Sequence, residues 1–252
     1  MFLPALSLLL INLRTKELPL IQRGRFGWKD LLAAVLLMPA ILHLVILPLM
    51  MRSEGGLRWQ DWLTPGAHGL YHAPAAWGWG VLTIQALVGH IVLNAVVGLA
   101  VVSFLAFFEE IGWRAWLLPR LANRIGPRRA VVVVSIIWAL WHVPYQISGI
   151  QHIDGVSPAT LAFVVPFGTT GAGFILGWLW LRTQSIWLVA IAHGALNAWG
   201  QYAFKYMDSG APDTDLALLR AGSLALLVVG GLLLWRGPQP QHAGLASQAA
   251  QS

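Results

Sequence analysis

The chain has no cysteine among its 252 residues. This excludes disulfide frameworks, cysteine-ligated zinc, iron–sulfur clusters and thiol nucleophiles. Charge is scarce as well: Asp, Glu, Lys and Arg together make up 10% of the sequence, against about 25% in an ordinary soluble domain. The zincin signature His-Glu-x-x-His does not occur, and no aspartate lies inside an apolar run, so a buried Ser-His-Asp triad has no acid to draw on. There is no internal repeat and no soluble second domain. What is present is apolar: 57% of the residues, with a mean hydropathy of +0.66. These residues come in long runs, as in a polytopic helical membrane protein rather than a globular core.

A helix needs about 20 apolar residues to cross a hydrocarbon layer of about 30 Å. The runs predict spans over 31–51, 91–118, 130–147, 159–181, 186–204 and 216–235, with the apolar stretch from Trp77 to the second span interfacial or protruding. Met1–Leu13 is apolar but short and lacks a cationic start. It reads as an interfacial or partly inserted segment rather than a secretory signal. The predicted class is an all-α polytopic transmembrane bundle of about six to eight membrane segments. Residues 1–30 form a cytoplasmic or interfacial N-terminal segment, 31–236 the transmembrane domain, and 237–252, rich in Pro, Gln, Ala and Ser, a disordered tail.

The net charge of +6 does not point to nucleic acid, because the cations sit at the ends of apolar runs. Arg14, Lys16, Arg23, Arg25 and Lys29 precede the first span, Arg120, Arg124, Arg128 and Arg129 follow the second, and Arg182 and Arg236 follow the fourth and sixth. The opposite side carries Arg52, Arg58, Lys205 and Arg220. This bias places both termini in the cytoplasm, and with the compact chain it suits a bacterial inner membrane.

Ionisable residues inside the apolar runs are the informative ones, since each costs roughly 2.5–3.5 kcal/mol at a helix centre. Eight of the ten acidic residues lie in loops or at helix ends; Glu109 and Glu110 are embedded. Four histidines are embedded with them: His43, His90, His142 and His193. Glu110 and Arg114 are four apart, share a helical face and can form a structural ion pair. Glu109 points about 100° away from that face. His193 and Asn197 are again four apart. For His43 and His90 the expected role is a structural hydrogen bond. Counted from the cytoplasmic ends at about 1.5 Å per residue, Glu109 is roughly 15 Å deep, His142 roughly 18 Å, and His193 and Asn197 roughly 10–16 Å. Three helices thus bring polar groups to one layer. A carboxylate and an imidazole there can deprotonate a water, and a second imidazole with an amide can stabilise an oxyanion. The same residues, Glu109, His142 and His193, are the set that a divalent metal such as zinc would use.

Glu109-Glu110-x-x-x-Arg114, an aromatic-x-x-x-His142 and His193-x-x-x-Asn197, in this order on successive helices, resemble the CAAX-protease and bacteriocin-processing family of membrane endopeptidases (CPBP, or Abi). The surrounding Trp113-Arg114-Ala-Trp-Leu-Leu-Pro119-Arg120 and Trp138-Ala-Leu-Trp-His142-Val-Pro144 add to the likeness, which runs over residues 107–199. The resemblance implies an intramembrane protease fold with a cavity towards the cytoplasmic leaflet. Glu109 and His142 would activate water, His193 and Asn197 would form the oxyanion hole, and Glu110 and Arg114 would support the site. The substrate class it implies is a membrane-associated or lipidated protein or peptide, cut in CAAX-type processing or peptide maturation, with a metalloprotease label common in the family. Trp138 departs from the family pattern, which has Phe there, but keeps an aromatic wall. The competing readings are a non-catalytic immunity or scaffold protein of the same fold, and a proton-coupled transporter. Transport would favour repeats and broken half-helices. Gly171, Gly173 and Gly177 in the fourth span are better explained as sites of close helix packing.

Overall fold

A computed structural model describes residues 3–15, 21–52, 70–72, 81–150, 153, 155–200 and 212–237. Expectations for Lys16, Glu17, Glu54, Arg58, Asp61, Asp154, Lys205, Asp208 and the tail beyond Gly237 lie outside the described residues.

The chain forms a helical bundle. α1 spans Leu3–Thr15 and α2 spans Trp28–Arg52. A small antiparallel hairpin pairs β1 (Leu70–His72) with β2 (Val81–Thr83), in the register Leu70 to Thr83. The helical path then runs unbroken through α3 (Ile84–Leu93), a π-helical stretch (Asn94–Gly98), α4 (Leu99–Glu110), a second π stretch (Ile111–Leu117) and α5 (Leu118–Ile125). After it come α6 (Pro127–Ile147), α7 (Pro158–Thr183) and α8 (Ile186–Ala195), which ends in a third π stretch (Leu196–Gly200). α9 spans Pro212–Arg236. Among the described residues, five helices are long and apolar enough to cross a membrane: Trp28–Leu49, Ala95–Ile125, Pro127–Ile147, Pro158–Thr183 and Asp213–Arg236. Of the fifth predicted span, Ile186–Gly200 forms an apolar helix and 201–204 lie outside the described residues. The chain is an integral membrane protein.

Helix ends follow local chemistry. Gly126, at φ +85°, breaks the chain between α5 and α6, and Pro127 occupies the first turn of α6. Its fixed φ suits a position whose N–H would be unsatisfied anyway. Ser157 caps α7 by accepting the Thr160 N–H at 3.1 Å, and Pro158 follows it. At the other end of α7, Gln184 turns at φ 54° and Ser185 caps α8 by accepting the Leu188 N–H at 3.3 Å.

Interior packing depends on small residues. A Cβ on Gly171 would lie 2.3 Å from the Leu227 backbone nitrogen on α9, and one on Gly173 would lie 2.6 Å from Ser135 on α6. Gly177 meets Val131 in the same way. α7 can therefore sit close to two neighbours at once, as expected for association in lipid, where van der Waals contact replaces the hydrophobic driving force. Trp180, Met38, Leu42, Leu161, Ile175 and Leu179 fill the centre. Large apolar side chains such as Leu44 and Phe163 are turned outward, 75% and 70% exposed, as befits a lipid-facing surface.

One end of the bundle is stitched by polar contacts. Arg25 N–H donates to the Thr183 carbonyl at 2.9 Å and Ile186 N–H to the Gln22 carbonyl at 3.2 Å. Residues 22–25 thus run as a strap along the α7–α8 turn. Asp30 accepts from Gly27 N–H at 3.0 Å and from Arg182 Nε at 2.6 Å. Arg128 donates to the carbonyls of Trp235 and Gly237 at 2.7 and 3.1 Å, capping α9. The cation-rich ends of α2, α6, α7 and α9 therefore meet at the same end of the bundle.

Gly24 is the tightest point of the strap. It has φ +65°, and a Cβ there would lie 2.2 Å from the Thr183 carbonyl oxygen. Gly24→Ala is expected to destabilise the protein by at least about 1–3 kcal/mol, the usual cost of a strained left-handed residue. Thermal unfolding in detergent would show it as a lowered midpoint.

Candidate active site

The site forms where the second apolar path, α6 and α8 meet. Glu109 and Glu110 end α4, and Arg114 lies in the π stretch that follows. All three are buried, at 2%, 0% and 1% exposure. Arg114 Nη1 donates to both oxygens of Glu110, at 2.8 and 2.9 Å. The same Glu110 Oε1 also receives His193 Nδ1 at 2.7 Å, from α8. Arg114 Nη2 is buried and has no hydrogen-bond partner among the described residues. Glu110 is thus more than a local ion-pair partner, because it joins two elements 83 residues apart in sequence.

Glu109 faces another group. The Trp138 indole N–H, on α6, donates to Glu109 Oε2 at 3.1 Å. Trp138 is itself 2% exposed, and its ring meets both imidazoles edge-on, His142 at 5.2 Å and His193 at 5.1 Å between centroids. The Arg114 guanidinium lies over the Trp138 ring at 4.9 Å. His142 Nδ1 stands 2.8 Å from the Trp138 carbonyl one turn earlier. A carbonyl oxygen can only accept, so His142 Nδ1 carries the proton and Nε2 of the neutral ring keeps its lone pair. Trp141 closes the wall, edge-on to His142 at 4.9 Å and to Trp113 at 6.2 Å.

Five of the six predicted residues therefore form one contiguous group: Glu110, Arg114 and His193 by direct bonds, Glu109 and His142 through Trp138. Asn197 does not bond to them. It is half-buried in the π stretch that extends α8, where the i→i+5 pattern changes the spacing expected for a plain α-helix. Among the described residues, no three His, Asp or Glu side chains gather closely enough to share a metal ion. Glu109, His142 and His193 thus do not fit as a preformed metal set. His43 bonds within its own helix, its Nδ1 donating to the Pro39 carbonyl at 2.7 Å. The His90 side chain lies outside the described residues.

The helix bounds change the depth estimate. Along their own axes Glu109 lies about 24 Å from Ile125 and His142 about 22 Å from Pro127, whereas His193 lies only about 10 Å from Ile186. The helix ends are therefore staggered, while the residues themselves lie side by side, as the bonds from His193 to Glu110 and from Trp138 to Glu109 require. Two further contacts hold α4 and α8 together. Phe107 stacks on Trp187 at 4.4 Å, and Gly194 lies against Ser103, where a Cβ would come 2.2 Å from Oγ and 2.6 Å from Cα. Sequence reasoning missed both the Trp138 donor and this glycine. The signals were a tryptophan where phenylalanine is usual, and a glycine directly after a buried histidine.

Comparison with known proteins points the same way. Residues 91–199 match the family model described as type II CAAX prenyl endopeptidase Rce1-like. The matched stretch carries Glu109, Glu110, Arg114, His142, His193 and Asn197, the residues on which the likeness to the CAAX-protease and bacteriocin-processing family rests. A relative named CAAX prenyl protease 2, from Methanococcus maripaludis, is 26% identical over 124 residues, covering 48% of this chain and 46% of that protein. The match thus spans about half the length of that curated relative. No solved structure matches the chain.

Two substitutions test the packing of the site. Gly194→Ala should lower the unfolding midpoint, and adding Ser103→Gly should restore only part of it, because the Ser103 backbone also lies in the way. Arg114→Ala alone should cost about 3–5 kcal/mol by leaving a buried carboxylate short of its partner. Glu110→Gln combined with Arg114→Met should cost less than Arg114→Ala does, as read from detergent unfolding curves.

Proposed function

We propose that this protein is a membrane-embedded endopeptidase that hydrolyses a peptide bond of a membrane-associated or lipidated protein or peptide. The observation that carries the reading is the meeting of Glu109, Glu110, His142 and His193, from three elements, around one buried tryptophan. A structural need for charge compensation explains Glu110 with Arg114. It does not explain a second buried carboxylate set near a part-buried imidazole whose Nε2 keeps its lone pair.

In this mechanism Glu109 and His142 Nε2 hold a water and remove its proton as the oxygen adds to the substrate carbonyl carbon. The carbonyl oxygen becomes negative and is held by His193 and Asn197. His193 Nδ1 already gives its hydrogen to Glu110, so Nε2 can donate only if the ring carries two protons. The donor is then an imidazolium, with the Glu110 carboxylate in contact to balance it. A neutral donor would cost less to bury. Collapse of the tetrahedral species breaks the carbon–nitrogen bond, and the leaving amine takes the proton removed from water. Asn197 would reach the oxyanion by side-chain adjustment once substrate binds. No step is routed through a metal ion, for which the described side chains offer no three-ligand set.

The name of the relative, CAAX prenyl protease 2, favours a CAAX-type substrate, and peptide maturation is the other outcome compatible with the site. The arginine-rich end of the bundle supports a cytoplasmic location for both termini, in a bacterial inner membrane. A non-catalytic immunity or scaffold role and a proton relay are weaker, because neither calls for an oxyanion donor beside a water-activating pair.

Glu109→Gln should abolish cleavage while the protein still inserts and folds. Comparing membrane-peptide profiles from cells carrying the wild-type and variant proteins would reveal both the loss and the substrate. Full activity of Glu109→Gln would end the assignment. His193→Ala should cost about 100-fold or more in kcat, the usual effect of losing one oxyanion donor. Activity of purified protein shown metal-free by elemental analysis would separate the water-activating mechanism from a zinc-dependent one.

A further inference from the structure

We propose that Trp138 is a positioning residue for Glu109, and that its indole N–H, rather than its aromatic bulk, is what the reaction depends on. The inference rests on the endopeptidase reading above and adds to it a residue at which aromatic character alone would be too little.

Trp138 makes three separable contacts. Its carbonyl accepts from His142 Nδ1 at 2.8 Å, its ring lies under the Arg114 guanidinium and against His193, and its indole N–H donates to Glu109 Oε2 at 3.1 Å. The first contact belongs to the backbone and survives any side chain. The second needs only an aromatic face. The third needs a donor at the edge of the ring, which tryptophan has and phenylalanine lacks. A cation over the ring draws electron density from it, which strengthens the N–H as a donor.

One residue therefore fixes both members of the proposed water-activating pair, the carboxylate through its side chain and the imidazole through its main chain. Glu109 sits on a different helix from His142, and the tolerance between helices is wider than catalysis allows, so a shared anchor removes that slack. Glu109 also lies one residue from Glu110, and the Arg114 charge lies over the ring whose N–H it accepts. Without the N–H its buried carboxylate loses the donor that holds Oε2 towards α6.

Two replacements separate bulk from bonding. Trp138→Phe keeps an aromatic face, and incorporation of benzothienylalanine at 138 keeps the shape of the indole while replacing N–H by sulfur. Both should lower kcat about 10- to 100-fold, the range set by one hydrogen bond to a charged group, with KM within about twofold, the pattern of an interaction used in the transition state rather than in binding. The benzothienyl protein should unfold at the wild-type temperature. Wild-type kcat in that protein would overturn the proposal, as would a loss seen only in KM.

A second readout does not need turnover. In protein with nitrogen-15 tryptophan, the Trp138 indole N–H resonance, assigned by its loss in Trp138→Phe, should shift on Glu109→Gln. An unmoved resonance would overturn the bond itself. If Glu109→Gln cleaves at the wild-type rate, the water-activating role of Glu109 and this inference fall together. An inactive Glu109→Gln beside a fully active benzothienyl protein defeats the inference alone.

Discussion

A carboxylate, a guanidinium and an imidazole that meet away from water must satisfy one another, because nothing else can. Glu110 is the centre of that constraint. One of its oxygens receives both Arg114 and His193, so the second apolar path and α8 cannot separate without stranding charge in an apolar medium. If His193 carries its second proton, the two carboxylates are balanced by two cations, Arg114 one turn along the same path and His193 on α8, and the cluster is neutral as a whole. Such a cluster adds little net stability over a well-packed apolar equivalent. Its value lies in registration: it fixes which residue of one helix faces which residue of another.

The rest of the bundle supports that registration from a distance. α8 begins at a turn held by the strap of residues 22–25, and it leans on α4 through Gly194 against Ser103. α7 is drawn close to α6 and α9 by glycines on different faces. Asp30 and Arg128 tie the remaining helix ends to the same edge of the bundle. His193 is placed by all of these, and only its final few ångströms are set by Glu110.

The sequence made the helices legible because apolar runs, bounded by charges and prolines, are a long-range average that survives errors in any one residue. It also made Glu109, Glu110, Arg114, His142 and His193 legible, since ionisable groups in such runs have few other reasons to be there. The partners were harder. Glu110 and Arg114 could be paired from a spacing of four, but nothing in a linear pattern says that His193 meets Glu110 rather than Glu109. Counting depth from helix ends did not give the pairing either, since those ends are staggered. The Trp138 indole was hidden by the habit of counting aromatics as walls. The strap at Gly24 and the β1–β2 hairpin left no periodic signal. The widened stretches were invisible as well, because a π turn has no composition of its own.

Those widened stretches have a consequence for how the chain tolerates length changes. A π turn holds one residue more than the α-helical path needs, and here one lies directly between the paired carboxylates and the arginine-bearing end of the same helix. Deleting a single residue between Ile111 and Leu117 would let the segment relax to ordinary α geometry. The helix beyond would then face much as before, whereas forcing α geometry with the extra residue kept would rotate everything beyond it by about 100° relative to Glu110. The extra residue acts as a phase shift, and two faces that a uniform helix would turn apart are kept in step by it.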